Sequence, residues 1–289
     1  MMYNDAIADF ETHLTDSRLT KNTIEAYMRD VTSFLAYISP KKSLKEIDIS
    51  DLNAYFDTEL AAYANSSKNR ILVSIRYFFK FLESEQGVPN PAATMAKFKE
   101  GKKLPNTLSK EEMATLLDGT PDNPKGIFDA AIFELIYGSG LRASEVCAIK
   151  MNDLSLDERR VTIHGKGDKE RILPLSDMSV KRIYEYLPIR DVWNKKKSQY
   201  LFVNKQGNTL NREYIHTHLK RLLKENDLPK KFSTHSLRHS FATHLMNEGV
   251  DVRIVQSLLG HEDISTTQIY TELDTHTKRV EYDRCFPRK

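Results

Sequence analysis

The sequence predicts a mainly helical protein of two domains, the second of which also contains a small antiparallel β-sheet. Three observations support this prediction. Apolar residues recur at helical spacing through the first hundred positions, a proline- and lysine-rich stretch follows, and two short β-prone runs interrupt the helical pattern near position 160. A chain of 289 residues also exceeds what one hydrophobic core usually organises, so two domains are expected.

Four short helices are expected in the first domain, which we assign to residues 1–97. Shorter apolar patterns around Phe10 and Phe56 predict two of them, and two longer apolar stripes predict the others. The first stripe consists of Ile24, Tyr27, Val31, Phe34, Leu35 and Ile38. The second consists of Ile71, Ile75, Phe78 and Leu82. Packed together, such helices make a small bundle.

The stretch 89–107 has three prolines, four lysines and little periodicity. We expect its second half, residues 98–107, to be the linker between the domains. The second domain, residues 108–289, begins with a capping-box pattern formed by Ser109 and Glu112. Because this pattern marks helix starts, a helix is predicted directly after Ser109.

Further helices are predicted in the second domain at about 124–137, 143–150, 177–187, 211–225, 234–248 and 252–259. Gly138, Gly249 and Gly260 are expected to end three of them, because glycine is the residue most common just past a helix. The β-prone runs 160–164 and 170–175 flank a turn with two glycines, which predicts a hairpin.

The composition is that of an ordinary globular protein, with 40% hydrophobic and 29% charged residues and a net charge of +3. No stretch reaches the roughly 20 apolar residues that cross a bilayer, and the first residues lack a secretory pattern. We therefore expect a cytoplasmic protein without a membrane partner. The two cysteines have no paired spacing, so reduced thiols are expected.

Four features of the second domain suit chemistry on a phosphate group. In GSGLRASE, residues 138–145, Arg142 begins a helix, where its charge opposes the helix dipole unless a phosphate or Glu145 balances it. Lys166 lies at the hairpin turn. Taken singly, a surface ion pair and a solvated lysine explain these residues as well.

The other two features lie nearer the C-terminus. In HSLRH, residues 235–239, His235 and Arg238 share one helical face. His235 and His239 are spaced as a pair of metal ligands, but the motif lacks the acidic residue of a zinc-protease helix. In LLGHEDISTTQIY, residues 258–270, His261 precedes Tyr270 by nine positions. A tyrosine considered alone is usually a core or surface aromatic.

Together, these four segments resemble the tyrosine site-specific recombinases, or phage integrase family, in every active-site box and in their order. The likeness is greatest to the Xer-type recombinases and covers nearly the whole chain. The segment LTKNTIEAYMRDVTSFLAYI resembles the family's helical, SAM-like DNA-clamping domain, and the ending RCFPRK resembles its C-terminal tail. One departure is Glu272, where many relatives have histidine, outside the catalytic set.

The resemblance implies a role for each matching residue. Arg142 and Arg238 would hold the scissile phosphate, Lys166 would be the hairpin lysine, and Tyr270 the nucleophile. His235 and His261 would complete the catalytic set, with Glu145 in a supporting role. Seven further cations would suit contacts with DNA phosphates: Lys68, Arg70, Arg76, Lys102, Lys103, Lys169 and Arg171. Any one of them could equally be a solvated surface residue.

The resemblance further implies cleavage and rejoining of duplex DNA through a 3′-phosphotyrosine intermediate, with no metal ion, cofactor or ATP. The expected partner is a double-stranded recombination site, on which four protomers assemble as a homotetramer or with a paralogue. In such relatives, the segment after Tyr270 packs onto a neighbouring protomer. A septal DNA translocase is a further partner that the resemblance allows.

The compact two-domain length favours resolution of chromosome or plasmid dimers. Three alternatives remain open: an integrase of a phage or mobile element, a type IB topoisomerase-like enzyme, and a DNA-bending protein without catalysis. The completeness of the six catalytic positions argues against the last.

Overall fold

The computed structural model describes residues 3–38, 42–101, 106–120, 122–165, 170–260 and 275–288. The chain divides into two compact units, Met1–Lys103 and Leu104–Lys289, each with its own hydrophobic core. Within the described ranges, no helix is both long enough and apolar enough to span a bilayer. The protein is mainly helical, as the sequence predicts.

The first unit holds the four expected helices: α1 (Tyr3–Asp16), α2 (Lys21–Ile38), α3 (Ile49–Asp57) and α4 (Asn65–Gln86). The second apolar stripe is buried throughout, and the first is buried from Val31 onward. Aromatic rings dominate the core, where Phe10 meets Phe78 edge to face with ring centroids 5.1 Å apart. Gly87 ends α4 in the left-handed conformation.

The segment 88–100, which includes the first residues of the expected linker, is fastened to α4. Arg76 donates hydrogen bonds from Nε to the carbonyl oxygen of Ala92 at 2.9 Å and from Nη2 to that of Met95 at 2.7 Å. The amide of Asn69 pairs with both the N–H and the C=O of Phe98, at 2.8 and 3.0 Å. Because these backbone groups are satisfied within the unit, the segment extends the first unit beyond residue 97.

The second unit is built around α6 (Pro124–Gly138), in which every residue from Phe128 to Gly138 is buried. A helix buried on all sides lacks the amphipathic stripe of a surface helix. The remaining helices are α5 (Lys110–Asp118), α7 (Ala143–Ala148), α8 (Asp177–Trp193), α9 (Arg212–Glu225), α10 (Thr234–Asn247), α11 (Val252–Leu259) and α12 (Thr275–Cys285). The predicted capping box before α5 is confirmed by hydrogen bonds in both directions between Ser109 and Glu112.

Three antiparallel strands form the small sheet, in the order β1 (Leu154–Ser155), β2 (Arg160–His164) and β3 (Glu170–Pro174). The hairpin of β2 and β3 confirms the expected one, whereas β1 was not predicted. Ile163 lies opposite Arg171 in the register. Since alternate residues of a strand share a face, Arg171 lies on the same face of β3 as the buried Leu173.

The C-terminal helix α12 packs on its own unit. Tyr282 is fully buried and donates a hydrogen bond to the carbonyl oxygen of Gly138 at 2.6 Å. Phe286 packs on Tyr137 with ring centroids 5.2 Å apart. In the tail expected to dock on a neighbouring protomer, Tyr282 and Phe286 are therefore buried in the same chain, because α6 offers a matching apolar face, whereas Val280 is exposed.

Several helix boundaries differ from the sequence prediction, among them the end of α7, which lies at Ala148 rather than at 150. Gly138 is still helical in α6, and the left-handed residue that redirects the chain is Gly140, with φ of +62°. Helix α8 continues past Pro188 to Trp193, where the sequence predicted an end near 187. Pro188 is exposed, so water can replace the backbone hydrogen bond that proline removes.

Candidate functional site

Arg142 and Glu145 form the first part of the candidate site, at the start of α7. Arg142 is the N-cap residue, and its backbone N–H donates to Glu145 Oε2 at 2.8 Å. Its guanidinium Nη1 donates to Glu145 Oε1, also at 2.8 Å. The carboxylate therefore satisfies a free N–H at the helix start and offsets a cation placed against the helix dipole.

Gly140 brings this turn close to α10. A Cβ atom at position 140 would lie 2.5 Å from Cδ1 of Phe241, which no side chain tolerates without a shift. Positive φ at this position also favours glycine. Glycine is thus required at position 140 for two reasons, the positive φ and the close approach of Phe241. It allows the loop before Arg142 to lie against the helix that carries Arg238.

Arg238 is almost completely buried between three segments. Its Nη1 donates to the carbonyl oxygen of Gly140 at 2.6 Å, and its Nη2 donates to that of Leu259 at 2.5 Å. Nη1 also lies 3.8 Å from Glu145 Oε2. Burial and the nearby Arg142 cation lower the pKa of Arg238 to about 10, so the guanidinium remains charged at neutral pH.

Arg171 joins the same cluster from β3. Its Nη2 donates to Glu145 Oε2 at 2.9 Å, and its side chain is 18% exposed. Burial alone would raise the pKa of the Glu145 carboxyl, but hydrogen bonds from Arg171 and Arg142 hold that pKa below its ordinary value. One carboxylate is therefore surrounded by three guanidiniums, a cluster suited to an anionic phosphate.

His235 lies in the first turn of α10, exposed, three residues before the buried Arg238. His239 is exposed one turn further on. In the described parts of the chain, no group of three or more His, Cys, Asp or Glu side chains is arranged to hold a metal ion. The helix thus presents two imidazoles near its N-terminal half and one guanidinium towards the interior.

Six of the predicted site residues lie outside the described residues. They are Lys102, Lys103, Lys166, Lys169, His261 and Tyr270. Of the predicted catalytic set, the structure therefore brings together Arg142 and Arg238, with Glu145 between them, and places His235 on the same helix as Arg238.

The three predicted DNA contacts of α4 make contacts within their own unit. Arg70 forms a double hydrogen bond with the buried Asp30, one arm of it at 3.0 Å. Lys68 is nearly buried, with Nζ 5.5 Å from the ring centroid of Phe98, and Arg76 holds the segment 88–100. Their part in DNA binding stays a prediction.

Sequence reasoning missed how the start of the second unit is attached to α10. The N–H of Leu108 donates to Ser240 Oγ at 2.8 Å, and its carbonyl oxygen accepts from His244 Nε2 at 3.0 Å. His244 Nδ1 in turn accepts from the hydroxyl of Tyr137 at 2.8 Å. The burial of polar Ser240 and His244 is visible only in three dimensions.

Comparison with known proteins identifies the family. Residues 106–277 match the Phage integrase family, and residues 7–86 match its N-terminal SAM-like domain. The chain is 36% identical to Tyrosine recombinase XerD of Lacticaseibacillus casei, over 98% of both chains. It is 38% identical to Tyrosine recombinase XerC of Pseudomonas savastanoi pv. phaseolicola, over 96% of this chain and 94% of the relative.

A solved structure has the same architecture. The XerH site-specific recombinase bound to difH substrate, in a pre-cleavage complex, matches 90% of this chain and 78% of its own, with a TM-score of 0.71 and 25% identity. The two domain matches, the relatives that are similar over nearly the whole chain and the arginine cluster all indicate the same family. The chain belongs to the phage integrase family of tyrosine recombinases, which cleave and rejoin DNA through a tyrosine intermediate.

Proposed function

We propose that this chain is an Xer-type site-specific recombinase that cuts duplex DNA through Tyr270 and resolves chromosome or plasmid dimers. The observation that carries the proposal is the convergence of Arg142 and Arg238 on Glu145. These are the two arginines that the family resemblance assigns to the scissile phosphate. Similarity to the XerD and XerC relatives along nearly the whole chain supports the Xer type.

The two arginines suit the charge that develops during phosphoryl transfer. As phosphorus becomes five-coordinate, negative charge builds on its non-bridging oxygens. Guanidiniums bind such oxygens through charge-assisted hydrogen bonds. Arg238 is anchored to two carbonyl oxygens and Arg142 is fixed at a helix start, so both cations are positioned before substrate arrives.

The covalent step exchanges one phosphate ester for another. The phenolic oxygen of Tyr270 forms a bond to phosphorus while the bond to the 5′ oxygen breaks, which leaves a 3′-phosphotyrosine. The phenolic proton passes to His235, and Lys166 donates a proton to the departing 5′ oxygen. Attack by the 5′ hydroxyl of another strand reverses the step, so the energy of the bond is conserved.

A candidate DNA site with a nick near the scissile phosphate tests the nucleophile. Cleavage releases the short fragment that carries the 5′ hydroxyl, so the strand cannot be rejoined and the covalent complex accumulates. We expect wild type to form an adduct that survives a denaturing gel. Tyr270→Phe should form none while binding DNA normally. Tyr184→Phe, on the exposed face of α8, is the matched control and should behave as wild type. An adduct in Tyr270→Phe would refute the assignment.

Removal of either arginine tests the phosphate site. We expect Arg142→Ala and Arg238→Ala to slow cleavage by about 10²–10³-fold with much smaller changes in binding, as for loss of one oxyanion donor. Arg160→Ala, on the exposed end of β2, removes the same charge outside the cluster. Cleavage at the wild-type rate in an Arg142 or Arg238 variant would remove that residue from the site.

The biological role requires a different assay. We propose that four protomers, identical or paired with a paralogue, synapse two DNA sites, and that a septal DNA translocase controls them. A plasmid with two directly repeated sites should yield two smaller circles. Relaxation of supercoiled plasmid without any special sequence would favour the topoisomerase alternative, insertion into an unrelated target would favour the integrase, and binding with no adduct would indicate a bending protein.

A further inference from the structure

The carboxylate of Glu145 faces more positive charge than one carboxylate can balance. Arg142 and Arg171 donate hydrogen bonds to it, and Arg238 Nη1 lies 3.8 Å away. Glu145 itself is 10% exposed, so its attraction for cations is only weakly screened by water. Without a dedicated counter-ion, this carboxylate would hold the arginines that are to bind the phosphate.

Arg171 has the geometry of a dedicated counter-ion. It lies on the inner face of β3, opposite Ile163 in the register, and it makes its hydrogen bond to Glu145 at 2.9 Å. The backbone of Gly260 packs against it, since a Cβ at Gly260 would lie 3.2 Å from Arg171 Nε. Strand pairing on one side and Gly260 on the other fix this guanidinium in place.

Exposure separates the three arginines. The side chain of Arg142 is 38% exposed, while those of Arg171 and Arg238 are 18% and 8% exposed. Arg142 therefore has a free surface from which to reach a ligand. Arg171 directs its Nη2 towards the carboxylate.

We propose that Arg171 is a positioning residue that neutralises Glu145 and so leaves the positive charge of Arg142 and Arg238 available to the scissile phosphate. This inference rests on the proposed function. It assigns Arg171 a role other than the contact with the DNA backbone that its sequence context suggests. Its effect on the reaction is indirect, through Glu145.

The test compares single-turnover cleavage of a nicked site at saturating DNA. Arg171→Gln should cleave about 10- to 100-fold more slowly, by analogy with residues that orient the direct ligands of metal sites. Arg171→Lys retains a cation and should recover much of the rate. The double variant Glu145→Gln/Arg171→Gln should also recover, because it removes the carboxylate that no longer has a counter-ion, whereas glutamine still accepts hydrogen bonds from Arg142.

Arg160→Gln is the matched control on the same sheet, and its cleavage rate should equal that of wild type. Thermal unfolding of each variant verifies that it is folded. The inference would be overturned by an Arg171→Gln variant that cleaves at the wild-type rate or loses only DNA affinity. A double variant as slow as Arg171→Gln alone would also overturn it. A wild-type protein that forms no adduct would overturn the proposed function itself, and this inference with it.

Discussion

At position 140 two demands on the backbone coincide, a left-handed φ of +62° and the approach of Phe241. We expect Gly140→Ala to lower the free energy of unfolding by about 2–4 kcal/mol, the sum of the conformational strain and the overpacking. Thermal or urea unfolding of the full chain measures this loss. Cleavage should also slow, because the same turn carries Arg142.

Gly249 provides the matched control for this substitution. It has φ of +85°, and a Cβ there would meet nothing within 4 Å. Gly249→Ala should therefore cost only the left-handed conformation, about 1–2 kcal/mol. Equal losses in both variants would show that contact with Phe241 is unimportant.

Arg70 illustrates how a surface cation acquires a structural role. Its partner Asp30 is 4% exposed and also accepts a hydrogen bond from Ser74 Oγ at 2.8 Å. We expect Arg70→Ala to destabilise the first unit by about 1–3 kcal/mol, because the buried carboxylate would lose both hydrogen bonds from Arg70 and keep only Arg29, whose Nε lies 3.9 Å from Oδ1, as a cation. Lys80→Ala, on the exposed face of the same helix, should have little effect on urea unfolding. An Arg70→Ala protein as stable as wild type would contradict this prediction.

At the scale of elements, the segment that enters the second unit is held by α10, which also carries Arg238. Leu108 is bonded through both backbone groups, to Ser240 and His244. Burial lowers the pKa of His244, which favours the neutral imidazole; since Nε2 then donates to the Leu108 carbonyl, Nδ1 accepts from the hydroxyl of Tyr137. Two hydrogen bonds therefore fix this segment to α10.

This arrangement predicts a pH dependence of stability. Burial lowers the pKa of His244, and Lys110 adds to that effect, while the Leu108 carbonyl opposes it. The unfolded chain then binds the proton more readily, so stability is lost as pH falls through about 6.5, the ordinary histidine value. His244→Gln retains a donor and an acceptor but does not titrate.

The difference in unfolding free energy between wild type and His244→Gln should therefore shift in favour of the variant between pH 7 and 5. Urea unfolding at several pH values measures it. His218, whose pKa burial also lowers, is present in both proteins, so its contribution cancels in the comparison. Parallel curves for the two proteins would show that folding does not change the pKa of His244.

The elements show which parts of the structure a sequence can predict. Long apolar periodicity predicted α2 and α4, and the Ser109–Glu112 pattern predicted the start of α5, because these signals are local. Helix α12 was not predicted, since its buried residues Tyr282 and Cys285 come only near its end. The contact of Arg171 with Glu145 joins β3 to α7 across 26 positions, which no local pattern reveals.

For the whole molecule, the C-terminal tail closes the core of the second unit. Arg288 donates to Glu134 Oε2 at 2.9 Å across 154 positions, and also pairs with Asp118. Glu134 is 1% exposed, and burial raises its pKa even though the Arg288 cation opposes the shift. The tail thus supplies the direct ion pair of this carboxylate, while Arg182 adds a weaker attraction.

We therefore expect Arg288→Ala to lower the unfolding free energy of the second unit by about 3–5 kcal/mol, as for a buried pair that loses one partner. Adding Glu134→Gln should recover part of the loss, because no charge is then buried alone. Arg284→Ala breaks an exposed pair with Glu281 and should cost at most about 1 kcal/mol. Urea unfolding of the four proteins measures these differences. If Arg288→Ala matched Arg284→Ala, the tail would contribute little to the core, and its apolar residues would be free to exchange with a neighbouring protomer at small cost.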